Sequence, residues 1–281
     1  TMGMLSEGTR NRDATQLAID GEAIGTSVSA SAGLDTVTVS MGTVHPFLDP
    51  ALELFADVVL NPTFPDDELE RRKIQRLAAI DQEKARPNSL AFRILPRLLY
   101  GDEHPYSQPF SGTGTPESVT AMTAQELRDF HRRWFRPDNA TLLVVGDVDA
   151  DTLVPALESH FGGWAAPEEA LALPEIAAVE PASAGRVYLI HRPGPQSMVL
   201  AAGLAPPYND PQDIPMQVVN TALGGMFTSR LNRNLRIEKG WSYGAGSALW
   251  DARGQRPFVA YGSVQAARTA DSAAESAREL R

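Results

Sequence analysis

Five histidines are the first residues to weigh for chemistry, because imidazole binds metals and moves protons near neutral pH. They are His45, His104, His131, His160 and His191. A zinc-peptidase helix sets two histidines on one face beside a glutamate that takes a proton from metal-bound water. None of the five has a second histidine three or four positions away, so each reads as a surface or loop histidine. The chain contains no cysteine, which excludes disulfides, thiolate zinc sites and cysteine nucleophiles. No serine lies in a Gly-x-Ser-x-Gly elbow. The pairs Gly162-Gly163 and Gly224-Gly225 lack the Lys-Ser/Thr that completes a phosphate loop.

One stretch holds more promise. The loop from Leu223 through Gly224-Gly225 to Leu231 has adjacent glycines that permit a sharp turn and a close backbone approach. It leads into Arg230, Arg233, Arg236 and Lys239, whose spacing of three aligns them on one helix face. A solvated basic face is the plain reading of such a run. The following Gly240-Trp241-Ser242-Tyr243-Gly244 ends the helix and begins a strand, so Arg236 and Tyr243 can meet at one corner. A guanidinium and a phenol placed there can hydrogen-bond a peptide carbonyl or a developing oxyanion.

The elements that must position these residues come from a chain of 281 residues, long enough for two domains. Its 43% hydrophobic and 21% charged residues describe a globular protein. A formal net charge of -10, with the acids spread along the chain, disfavours nucleic acid and anionic membrane as partners. No apolar run approaches the roughly 20 residues of a membrane helix. The start at Thr1 and the stop at Arg281, within a predicted helix, read as cuts.

Asp13 caps a helix over residues 14–24, with Gly25 as its stop. Alternation over 26–44 predicts a hairpin around Gly33, with Val28, Ala30, Val37, Val39 and Met41 on one face. Helices over 49–60, 65–83 and 89–99 follow, and Thr123-Ala124-Gln125-Glu126 is a capping box for a helix ending near Arg133. A strand over 140–145 and a helix over 151–160 make a βα unit, and the Ala/Pro/Glu-rich residues 165–184 read as a linker. The order then recurs. Strands over 186–191 and 198–203 precede helices over 210–223 and 229–236, strands over 243–250 and 257–264, and a helix from about Ala270. Strands, helices and strands twice over predict an α+β fold of two related sandwiches.

The run Leu223-Gly224-Gly225, Ser229-Arg230-Leu231, Asn234-Leu235-Arg236, Gly240 and Tyr243-Gly244 resembles the C-terminal-domain signature of the pitrilysin-type (M16) zinc peptidases. Matching segments upstream are Glu7-Gly8-Thr9-Arg10, Leu48-Asp49-Pro50-Ala51-Leu52, Leu60-Asn61-Pro62 with Phe64, His104-Pro105-Tyr106, Phe135-Arg136-Pro137-Asp138-Asn139-Ala140 and Val144-Val145-Gly146-Asp147-Val148. They stand in the family's order from Met2 to about Val264.

This resemblance implies two domains of the LuxS/MPP-like metallohydrolase type, an inactive N-terminal-type domain over 1–164 and part of a C-terminal-type domain over 185–281. In active members an H-x-x-E-H helix runs into a corner like Gly8-Thr9, which sets Met2 at the glutamate and Gly3 at the second histidine. A third ligand, a glutamate eight or nine residues before a proline like Pro87, falls on Ala78 or Ala79, with Glu83 about a turn away. The expectation is therefore no metal in this chain and zinc in a partner that carries H-x-x-E-H, either a separate subunit or the other half of a longer polypeptide. Arg236 and Tyr243 match the family's substrate-contacting Arg/Tyr pair, and the hairpin strand over 26–32 matches its peptide-binding edge. The implied function is a non-catalytic subunit that binds peptide and completes the chamber of that partner. A structural core-type subunit of a larger complex and a stand-alone peptide-binding protein are the alternatives. Localisation is expected in the bacterial periplasm or cytoplasm, the periplasm being preferred.

Overall fold

The computed structural model describes residues 1–180 and 186–281. In chain order its first helices and strands are α1 (Ala14–Ala23), β1 (Val28–Ala32), β2 (Val37–Met41), α2 (Leu48–Leu60), α3 (Asp66–Ala85), α4 (Pro87–Tyr100), α5 (Pro116–Ala121), α6 (Ala124–Trp134) and α7 (Ala150–Phe161). The rest are β3 (Gln196–Ala205), α8 (Asp213–Asn220), α9 (Arg230–Asn232), β4 (Ser242–Leu249), β5 (Arg256–Gln265) and α10 (Thr269–Glu279). The α+β class is as expected. Two compact units are formed, one from Thr1–Ala78 and Thr115–Pro174, the other from Ala79–Gly114 and Glu175–Arg281. The chain passes between them three times: inside α3, between Gly114 and Thr115, and inside the stretch 165–184.

In the first unit, local signals act where the sequence places them. The Asp13 carboxylate accepts from Gln16 N at 2.8 Å to start α1, and Gly25 leaves it at φ +65°, a conformation glycine adopts without steric cost. The Thr123 hydroxyl accepts from Glu126 N at 3.2 Å while the Glu126 carboxylate accepts from Thr123 N at 2.8 Å, closing the capping box of α6. That bond holds the Glu126 carboxyl below its ordinary pKa. In the hairpin Val28 pairs with Met41 and Ala30 with Val39. Val28, Ala30 and Val39 pack on the core, and Ser29 and Ser40 share a hydrogen bond of 2.9 Å on the wet face. β1 pairs only with β2 among the described residues. The core gathers Met4, Leu5, Leu17, Leu54, Val58, Phe64, Leu69 and Leu127, each side chain contributing about 1.5–3 kcal/mol by leaving water. Phe64 sits at φ +52°, a strained conformation for an aromatic residue, and is held there by burial to 1% exposure.

In the second unit, β3, β5 and β4 form an antiparallel sheet in that order. Ala201 opposes Ala260, and Ala248 opposes Val259. Leu231, Leu235, Ala245 and Ala260 form the core against this sheet, with Leu223, Trp241 and Phe258 at its margin.

Three expectations are corrected here. Residues 140–145 and 186–191 are not strands. A strand exists through its ladder of backbone bonds to a neighbour, and no described strand pairs with either segment. Their apolar side chains therefore stand in water, with Val145 fully exposed and Val187 90% exposed. The helix over 229–236 is also not regular. A single turn, α9, passes into a π-helical segment, Arg233–Glu238, in which Lys239 N bonds Asn234 O at 3.0 Å. The wider turn breaks the spacing of three, so the basic residues do not share one face. Residues 165–180 carry no helix or strand, whereas 181–185, including Gly185 where the C-terminal domain was expected to begin, lie outside the described residues.

Candidate functional site

The helix-to-strand corner of the second unit is built from its glycines upward. Gly224 lies so close to β4 that a Cβ there would meet Ser247 N at 2.2 Å, so no larger residue fits. This contact sets the π-helical segment Thr221–Gly225, which follows α8, against the strand. Asn232 then ties the two sides together. It is 4% exposed, its amide donates to Phe227 O at 2.6 Å, and its carbonyl accepts from Ala245 N at 3.2 Å. The loop carrying Phe227 and the strand carrying Tyr243 are therefore pinned to one buried side chain.

Arg236 projects between them. Its guanidinium carbon lies 4.8 Å from the ring centroid of Tyr243 and 4.8 Å from that of Phe227. The meeting of Arg236 and Tyr243 at one corner is thus present, as face-to-ring contact. Phe227 is a third member that sequence reasoning missed. It stands nine positions before Arg236 (236 minus 227), in a loop with no periodicity to mark it. Tyr243 is 84% exposed and Phe227 61% exposed. Among the described residues neither the Arg236 side chain nor the Tyr243 hydroxyl makes a hydrogen bond or ion pair, so their donors are unspent within the chain. The neighbouring cations are engaged otherwise: Arg230 with Glu279 at 2.9 Å, Arg233 with Glu238 at 3.2 Å and Lys239 with Glu275 at 3.7 Å. Asn234 also donates to Glu275 at 2.9 Å and holds its carboxyl below its ordinary pKa.

The metal-site positions offer no donors. Met2 and Gly3 lie in the single turn Met2–Met4, with Met2 against the core and Gly3 facing Arg76, whose Nη2 is 3.8 Å from where a Cβ would stand. Ala78 and Ala79 lie in α3. Glu83 accepts from Arg93 at 2.7 Å, Thr113 at 2.8 Å and Ser111 at 3.2 Å, which consumes its carboxylate. Among the described residues no group of three or more His, Cys, Asp or Glu is arranged to hold a metal ion. A thioether, a hydrogen and methyl groups do not form a zinc donor set, so the residues at these positions do not fit the ion.

Three of the five histidines hold structure. His104 Nδ1 accepts from Tyr106 N at 3.0 Å, which makes Nε2 the donor to Ala177 O at 3.1 Å. His131 bonds Val59 O at 2.8 Å beneath Phe135, and burial lowers its pKa. His160 reaches Asp49 at 2.9 Å. A polar cleft of about 360 Å³ opens beside Glu7, Thr9 and Arg12 in the first unit. Of its charged lining, Glu7 is paired with Arg71 and Arg72, and Arg12 with Asp20, Glu53 and Asp57.

The family described as "Peptidase M16 inactive domain" matches residues 121–281, and that described as "Insulinase (Peptidase family M16)" matches residues 3–113. The chain belongs to peptidase family M16. An uncharacterized zinc protease of Mycobacterium leprae is 30% identical over 246 residues, which cover 88% of this M16 chain and 55% of the relative. The chain spans about half the length of the curated relatives it matches. Among solved structures, a peptidase M16 inactive domain from Pseudomonas fluorescens superposes with a TM-score of 0.89 at 27% identity, covering 99% of this chain and 67% of that one. A protease from Helicobacter pylori shares the fold, with a TM-score of 0.82 at 20% identity over 97% of this chain and 67% of that one.

Proposed function

We propose that this M16 chain is a non-catalytic subunit, or half, that holds an extended peptide for a zinc-bearing H-x-x-E-H partner. The observation that carries this reading is the Arg236 side chain, set against the Tyr243 ring at 4.8 Å with its N–H donors unspent. Guanidinium donors and a phenol hydroxyl suit peptide carbonyls, which are acceptors only. Donors fixed in place before the substrate arrives stabilise charge developing on a carbonyl oxygen more than mobile ones do. The bond-breaking chemistry is the partner's, because Met2, Gly3 and Ala79 supply no donor here.

The test begins with co-purification from the native source, followed by peptide turnover with the recovered H-x-x-E-H polypeptide. A double variant, Arg236→Ala with Tyr243→Phe, is expected to lower turnover while leaving the partner's metal content unchanged. Unchanged turnover overturns the reading. Recovery with the subunits of a membrane complex, and no peptidase, favours an assembly role instead.

A further inference from the structure

We infer that Phe227 is a positioning residue of this site, fixing the Arg236 guanidinium so that its N–H edge meets the peptide. The inference rests on the reading of Arg236 as a peptide contact and adds how the contact is held. A long arginine side chain in water samples many rotamers, and holding it in one costs conformational entropy when a ligand binds. Here two aromatic faces take up that cost before binding, since the guanidinium carbon lies 4.8 Å from the Phe227 ring as well as 4.8 Å from that of Tyr243. The guanidinium plane stacks on aromatic faces while its in-plane donors remain free.

Phe227 is itself fixed from behind. Its carbonyl accepts from the buried Asn232 amide at 2.6 Å, and the same Asn232 accepts from Ala245 N, two residues beyond Tyr243. Both rings are thus referenced to one side chain of 4% exposure. The Phe227 ring is 61% exposed, so it does little for the core. Its one ring contact among the described residues is with Arg236. A residue kept for packing would be buried, whereas one kept for its π face need only present it to the cation.

The experiment titrates a fluorescently labelled, unstructured peptide of mixed sequence against the full chain and three variants. Phe227→Leu keeps apolar bulk and removes the π face; it is expected to weaken peptide affinity roughly three- to fivefold, the scale of an exposed cation–π contact. Phe227→Tyr restores the face and is expected to bind like the unmodified chain. Wild-type affinity in Phe227→Leu, or an equal loss in Phe227→Tyr, overturns the role of Phe227. Arg236→Ala separates this from the underlying reading. If Arg236→Ala weakens binding while Phe227→Leu does not, only the positioning role falls. If Arg236→Ala binds normally, or the unmodified chain does not bind, the peptide-holding function falls and the positioning role with it.

Discussion

Asp57, bonded to Thr9 and Asn61 of two family motifs, and Arg236, within another, are both charged side chains, and they are treated in opposite ways. Asp57 is 3% exposed and accepts from Thr9 at 2.6 Å, Asn11 at 2.8 Å, Arg12 at 3.1 Å and Asn61 at 3.2 Å. That knot joins the turn after Gly8 to the end of α2, and Thr63 N bonds Gly8 O at 3.0 Å beside it. Arg236 has rings on two sides and no acceptor among the described residues. Both regions match M16 motifs, yet Asp57 spends its carboxylate on the fold, whereas Arg236 has no hydrogen bond or ion pair among the described residues. A family resemblance alone does not distinguish these uses. The hydrogen-bond account does, because a buried charge must be satisfied within the protein, while an unspent exposed donor is available to a ligand.

The largest effect that would sharpen this contrast belongs to Asp57. Asp57→Ala strips one buried carboxylate from four donors and leaves Arg12 with a cavity on one side. Breaking a buried pair in this way costs about 3–5 kcal/mol, and the part-exposed Arg12 side chain argues for the low end. Urea unfolding is expected to show the midpoint falling steeply. A loss under about 1 kcal/mol would mean that the knot is not structural, and the contrast with Arg236 would break.

A smaller effect concerns pH. His131 is packed between Phe64 and Phe135 and bonds Val59 O, and burial lowers its pKa below the ordinary value. The unfolded chain, with an ordinary histidine near 6.5, then binds more protons than the folded one just below that pH. Stability from this group is complete above about pH 6.5 and is lost as the pH falls below it. Thermal midpoints are expected to drop on acidification from neutral pH, with a shallower slope in His131→Phe, which keeps the stacking and does not titrate. Parallel slopes for the two proteins would remove His131 from the structural side of the comparison.

Much of the frame around these residues was legible in sequence because its signals are local. Asp13, Gly25 and the Thr123–Glu126 box each act on backbone within four residues. The hairpin face of Val28, Ala30 and Val39 follows from alternation alone. Segments 140–145 and 186–191 carry the pattern of strands without forming them, because strand preference describes how well a side chain fits a pleated surface and does not create a partner. The Arg236–Tyr243 corner was found through its spacing and its family match. Phe227 was not, since its place depends on a loop folded back by Gly224 and Asn232, and neither contact leaves a period in the sequence.

The smallest effect is the one that separates the two charges most cleanly. Arg236→Ala removes two exposed ring contacts and no hydrogen bond, and exposed cation–π contacts contribute about 0.5–1 kcal/mol at most sites. Some of that is returned as freedom regained by the Phe227 and Tyr243 rings. The urea midpoint is therefore expected to shift by less than about 1 kcal/mol, several times less than for Asp57→Ala. Circular dichroism should be unchanged, because the core of Leu231, Leu235, Ala245 and Ala260 does not include this side chain. A loss as large as that of Asp57→Ala would place Arg236 among the fold's own supports and remove the ground for reading its donors as kept for a peptide.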